Sequence, residues 1–204
     1  MNKNDKVIIV AVVAITVLAL VATVFILKGK KKKEKSEGLK LKAQEQEVEP
    51  KKSIIIGDSQ TPLIARQSKK IIKLGDKEGE ENLWKGGMGL GWLKNSVSKY
   101  PKDNEVRNVV INIGTNGGFN TSDDINGLFV NLKNTFPKAE FYAVQGSWGW
   151  GNNKNKTEQQ VRDYYKVFKK NGAKIIEPPI GNVKNPHGNL PVYAEIGKAI
   201  DNII

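Results

Sequence analysis

The sequence predicts an α/β protein: a three-layer α/β/α sandwich around a five-stranded parallel sheet, preceded by one transmembrane helix. Three observations carry this. Beyond Pro50, short β-branched runs alternate with amphipathic segments, and connections of crossover length imply a parallel sheet covered on both sides. Several of these runs are apolar without alternation, as strands buried on both faces are. Ahead of Pro50 lies a single apolar stretch long enough to cross a bilayer.

That stretch, residues 7–27, reads VIIVAVVAITVLALVATVFIL, with Thr16 and Thr23 as its only polar side chains. At about 1.5 Å per residue it spans roughly 31 Å, the thickness of a hydrocarbon core. A chain of 204 residues offers no core that could wrap a helix apolar on every side. No small-x-small cleavage site follows it, so an uncleaved anchor is predicted rather than a signal peptide. Residues 1–6 form an N-terminal tail and residues 28–50 a Lys/Glu-rich linker, which as a flexible coil reaches about 25 to 30 Å. Lys28, Lys30, Lys31, Lys32, Lys33 and Lys35 follow the span while only Lys3 and Lys6 precede it. The positive-inside rule therefore places the large domain in the cytoplasm.

The domain over 51–204 is read as five strands: SIIIG at 53–57, NLW at 82–84, NVVINIG at 108–114, EFYAVQG at 140–146 and KIIEPP at 174–179. A helix at roughly 61–73 follows the first strand. Ile125, Leu128, Phe129, Leu132 and Phe136 share one helical face, opened by Thr121 or Ser122 and stopped by Pro137. Thr157 and Gln160 form a capping box for a helix that ends at Gly172. The last helix follows Pro191 and carries Ile196, Ile200 and Ile204.

Composition removes several chemistries. Cysteine is absent, which excludes a disulfide framework, a thiolate metal site and a cysteine nucleophile. His187 is the single histidine, so polyhistidine metal coordination is impossible and any histidine-dependent catalysis must use it. No metal or cofactor is predicted. The net charge is +12, yet only Arg66, Arg107 and Arg162 of the 33 basic residues are arginine. Bidentate readout of phosphates or bases is thus poorly supplied, and no specific nucleic-acid partner is expected.

In open parallel sheets, sites gather at the carboxyl ends of the strands. Here four polar, glycine-rich clusters follow strands: Gly57-Asp58-Ser59, Gly86 to Gly91, Gly114-Thr115-Asn116 and Gly146 to Gly151. Ser59, in a strand-to-helix turn, is placed either as a nucleophile near backbone N–H donors or as an ordinary helix cap shared with Asp58. The Gly114-Thr115-Asn116 turn suits a strand end in any protein, and equally an amide donor aimed at a reaction centre. His187, in NPHGN just before the terminal helix, is by itself as well explained by a surface role.

The order of these segments changes the weighing. GDS after the first strand, a glycine cluster after the second, GTN after the third and a late HGNLPVY segment resemble the SGNH, or GDSL-type, hydrolase superfamily over residues 54–200. The resemblance implies a flavodoxin-like sandwich, with Ser59 as nucleophile and His187 as general base. It also implies an oxyanion hole built from the Ser59 N–H, a glycine N–H at Gly87 or alternatively Gly89, and the Asn116 side-chain amide. One departure stands out. The family's acid lies three residues before the histidine, where this chain has Lys184, so a Ser-His dyad is expected, its imidazole oriented by a backbone carbonyl or by Asn182 or Asn185.

Trp148 and Trp150, beyond the fourth strand, are the candidate substrate-binding residues, because indole faces beside a polar cleft suit sugar rings. Packing under their own loop is the alternative. The predicted function is a membrane-tethered serine esterase acting on carboxylic, especially O-acetyl, esters of a polysaccharide, with the lipid bilayer as its other partner. An O-acyltransferase of the same fold and an inactive SGNH-like anchor remain as alternatives. Such substrates lie mostly outside the cytoplasm, against the lysine count, so the side of the membrane stays open.

Overall fold

The computed structural model describes residues 52–178 and 184–204, within the second of the two units into which the chain divides, Pro50–Ile204. The predicted tail, transmembrane helix and linker, and also Asn182, lie outside the described residues. Among the described residues no helix is long and apolar enough to cross a membrane.

Five strands, β1 (Lys52–Gly57), β2 (Ile72–Lys73), β3 (Val106–Asn112), β4 (Glu140–Val144) and β5 (Lys174–Ile176), form one sheet in the order β2-β1-β3-β4-β5. Every pairing is parallel. The helices are α1 (Thr61–Ala65), α2 (Leu90–Lys99), α3 (Ile125–Thr135), α4 (Glu158–Lys170) and α5 (Leu190–Ile203).

The strand runs explain the layering. Successive side chains point to opposite faces, so Ile54, Ile56, Val109, Ile111, Phe141 and Ala143 fall in one core with apolar residues of α2, α3 and α4. Ile55, Val110, Tyr142 and Val144 fall in the other, with Ile64 of α1 and Val192, Tyr193, Ile196 and Ile200 of α5. Phe129 of α3 meets Phe141 and Phe168 edge-on, at centroid distances of 5.8 and 5.6 Å. Such aromatic pairs contribute about 0.5–1.5 kcal/mol each beyond burial.

Three local expectations are corrected. The second strand is Ile72–Lys73, not 82–84; Glu80–Asn82 is a 3-10 turn, and Trp84 makes only single bridges to Gly57 and Gly79. The helix expected over 61–73 is α1 alone, because the chain must turn after Ala65 to bring Ile72 beside Ile54. Asp124, rather than Thr121 or Ser122, caps α3, its carboxylate accepting the Gly127 N–H. The capping box at Thr157 is formed as expected, and Gly172, at φ 102, follows the end of α4.

Candidate active site

β1 delivers Ser59 through a turn that tolerates little change. Gly57 has φ 142, and a Cβ there would overlap the Asn112 carbonyl oxygen. The Gly57 N–H donates to Leu83 O at 2.9 Å, and the Lys85 N–H donates back to Gly57 O at 3.0 Å. The Asp58 N–H donates to Asn112 O at 3.0 Å. The end of β1 is thus held between the end of β3 and the 83–85 segment.

Neither Asp58 nor Ser59 caps α1, contrary to the cap reading: its N-cap is Gln60, which makes no side-chain cap bond, because the chain turns once more before the helix starts. Asp58 Oδ1 accepts the Gln60 N–H at 3.0 Å, an Asx-type turn. The half-buried Ser59 hydroxyl instead lies 2.8 Å from Nε2 of His187, 128 residues further on. His187 sits in the 3-10 turn Pro186–Gly188 that leads into α5. Its other ring nitrogen, Nδ1, is 3.1 Å from Oδ1 of Asn185. An amide oxygen only accepts, so this contact puts the ring proton on Nδ1 and leaves the Nε2 lone pair for the Ser59 O–H. Asn185 holds a left-handed backbone, φ 41 and ψ 78, a conformation that asparagine adopts more readily than most residues.

The group beside the ring's second nitrogen thus lies two residues before the histidine, not three, and is Asn185, one of the two asparagines expected there. Lys184 is exposed and appears in no hydrogen bond with the ring.

The donor positions are less closed. Asn116 is exposed, and its Nδ2 donates to Asp58 Oδ2 at 3.4 Å and to the Met88 carbonyl at 3.2 Å. Gly86 flanks the serine: a Cβ on it would stand 3.7 Å from Ser59 Cβ. Its N–H, however, is taken by Glu78 Oε2 at 3.3 Å. Gly87 is exposed at φ 73 with open space where a side chain would project, and Gly89 is the N-cap residue just ahead of α2. A Cβ on Gly89 would come 3.6 Å from Gly117 Cα, so the glycine loop also touches the loop that carries Asn116.

The tryptophans separate. Trp150 meets the His187 ring edge-on at 6.1 Å, and its Nε1 donates to Ser147 Oγ at 2.8 Å. Trp148 is partly buried against the core on the α2–α4 side.

Sequence reasoning passed over Asp58 as anything but a cap. It is 1% exposed. Its Oδ1 accepts a second bond, from Asn112 Nδ2 at 2.9 Å. Burial pushes its carboxyl up to about 7, against the lowering effect of the Gln60 and Asn112 hydrogen bonds. A polar residue interrupting the apolar run at 108–114 was the available signal for its partner Asn112.

Tyr165 was also missed. Its hydroxyl donates to Ile113 O at 2.8 Å and accepts the Gly146 N–H at 2.9 Å, tying together the loops after β3 and β4. Among the described residues no group of three or more His, Cys, Asp or Glu is placed to hold a metal ion. A groove of about 390 Å³ between α4 and β5, with Arg162, Lys166, Lys169 and Glu177 on its wall, reaches the back of these loops through Tyr165.

Comparison with solved structures finds the same fold. A Streptococcus pneumonia protein assigned as a platelet activating factor aligns at TM-score 0.52 and 14% identity, over 78% of this chain and 86% of that one. A lipolytic G-D-S-L family protein from Veillonella parvula aligns at TM-score 0.49 and 13% identity, over 75% and 97%. The C-terminal catalytic domain of peptidoglycan O-acetyltransferase A from Streptococcus pneumoniae aligns at 0.48 and 13%, over 74% and 90%. The first of these matches shows that the chain shares that protein's α/β fold. No protein-family profile and no curated sequence matches the chain.

Proposed function

We propose that this domain is an acyl-ester enzyme, an esterase in its leading form, with Ser59 as nucleophile and His187 as general base. The observation that carries the reading is the relay Ser59 Oγ, His187 Nε2, His187 Nδ1, Asn185 Oδ1, at 2.8 and 3.1 Å. A serine hydroxyl is a weak nucleophile unless a base takes its proton, and the base must be oriented by a third group. In this reading Ser59 Oγ attacks the ester carbonyl carbon as its proton passes to Nε2. The oxyanion is met by the Ser59 and Gly87 N–H groups and the Asn116 amide. His187 then protonates the leaving alkoxide, and an acyl-serine remains. Water activated by the same Nε2 releases the acid.

Hydrolysis is favoured over transfer because His187, Asn185 and Asn116 are all exposed, so water has free access. Trp150 beside His187 supports an O-acylated carbohydrate as substrate, its indole offering a stacking face. Residues 7–27 are proposed as a single-pass anchor in the lipid bilayer; protease accessibility of the domain in sealed vesicles decides its side.

The test is covalent labelling by a fluorophosphonate together with turnover of p-nitrophenyl acetate. Wild type is expected to label and turn over, and Ser59→Ala and His187→Ala to lose both while keeping the wild-type circular dichroism. A folded wild type that neither labels nor turns over would make the domain an inactive anchor.

A further inference from the structure

Among the described residues Asp58 is the only charged side chain that is buried. Isolated carboxylates are rarely buried without a cation, because desolvation is costly. Closing the turn after β1 does not require one, since a serine accepts the same N–H at lower cost. The position of each oxygen suggests another use. Oδ1 accepts both the Gln60 N–H and Asn112 Nδ2, which fixes the plane of the carboxylate. Oδ2 is thereby turned toward Asn116 Nδ2, at 3.4 Å. The Asn116 amide has two N–H bonds; one faces Oδ2 and the other the Met88 carbonyl. Asn116 is exposed, so little else restrains its side-chain torsion.

We propose that Asp58 is a positioning residue for acyl transfer at Ser59: through Oδ2 it fixes the plane of the Asn116 amide, so that the N–H now on Met88 O is the one offered to the oxyanion. This rests on the assignment of Asn116 to the oxyanion hole made above. The substrate oxygen takes the place of a peptide carbonyl as acceptor, and the amide does not have to reorient during the reaction, which is the condition for strong electrostatic stabilisation.

Asp58→Asn is the discriminating variant. It keeps an acceptor for Gln60 and Asn112 but sets an NH₂ against the NH₂ of Asn116, so the turn survives and the amide is displaced. Loss of an oxyanion donor lowers kcat by about 10² to 10³. With p-nitrophenyl acetate at pH 8, above the value of about 7 to which burial lifts the Asp58 carboxyl and where Oδ2 is an acceptor, kcat of Asp58→Asn is expected to fall about 100-fold with KM within about twofold. The double variant with Asn116→Ala should fall no further than Asn116→Ala alone. Asp58→Ser, a turn residue too short to reach Asn116, should lose kcat to a similar degree and covers the case in which Asp58→Asn does not fold. A folded variant of either kind with wild-type kcat, a loss seen only in KM, or losses that multiply in the double variant would overturn the proposal.

A readout without turnover separates this from failure of the enzyme assignment. The Asn116 side-chain amide signals, assigned by their disappearance in Asn116→Ala, should shift in ¹⁵N spectra of Asp58→Asn. Unmoved signals would refute the positioning role whether or not the protein is an esterase.

Discussion

If Ser59 and His187 act as proposed, replacing Asn185 by aspartate should raise turnover, and the size of the gain can be worked from the geometry. In the ground state the amide oxygen accepts one hydrogen bond from Nδ1 at 3.1 Å. In the transition state the ring becomes an imidazolium, and a carboxylate would add a charge–charge attraction over about 4 Å. That attraction is about 1 kcal/mol at a water-like dielectric and about 4 kcal/mol at an effective dielectric of 20. Both side chains are exposed, so the lower figure applies and kcat should rise about fivefold. Aspartate also tolerates the left-handed backbone at φ 41, so folding should be unaffected. Asn185→Gly, equally at ease at positive φ, removes the acceptor; one hydrogen bond of about 0.5–1.5 kcal/mol predicts a loss of up to about tenfold. The assay is p-nitrophenyl acetate hydrolysis at fixed pH, in low salt and again in 1 M salt, where screening should shrink the aspartate gain. An Asn185→Asp enzyme no faster than wild type, together with an unimpaired Asn185→Gly enzyme, would refute the claim that Asn185 orients the base.

Three other outcomes follow from the structure. Burial lifts the Asp58 carboxyl from 3.8 to about 7, so the fold favours its protonated form; that contribution is full below about pH 4 and is lost as pH rises through about 7. Three pKa units correspond to about 4 kcal/mol; urea unfolding at pH 4, 6 and 8 should show Asp58→Asn gaining on wild type by up to that amount, and a pH-independent difference would contradict it. Tyr165→Phe strands the buried Gly146 N–H and removes a donor from Ile113 O; it should cost about 1–3 kcal/mol in chemical denaturation. Gly57→Ala must place a methyl group on the Asn112 carbonyl at φ 142, and should lower stability by more than about 3 kcal/mol or prevent soluble expression.

The fold was largely legible because its central strands are buried on both faces. Ile54 to Ile56, Val109 to Ile111 and Phe141 to Val144 send alternate residues into two different cores, which leaves an apolar run in the sequence. The edge strand was misread for the complementary reason: Ile72–Lys73 is too short to carry a pattern, and the apolar Leu83-Trp84 pair nearby, buried beside the end of β1, imitates one. Helix α2 was hidden by the glycines around it, Gly89 and Gly91, since glycine disfavours helix and the tertiary contacts of Leu90, Leu93 and Val97 override that preference. The meeting of Ser59 and His187 was anticipated only through the resemblance to the SGNH hydrolases, since the local pattern around each residue fits a bland role as well. The partner of Nδ1 could be named only as one of several groups, because it depends on a single left-handed residue. Asp58 was legible as a polar residue and not as a buried one; which of its oxygens faces which amide is a property of two strand ends meeting.

The histidine that meets Ser59 sits in the turn leading directly into the terminal helix. That helix, α5, adheres to α1 and the sheet through Val192, Tyr193, Ile196 and Ile200, and its loosening would carry the imidazole away while β1, β3 and β4 stayed paired. The proposed chemistry is therefore a more fragile property than the architecture. On gentle warming, ester turnover should fade before the far-ultraviolet signal of the sheet does, and ligands that bridge the two sides of the rim should preserve both together.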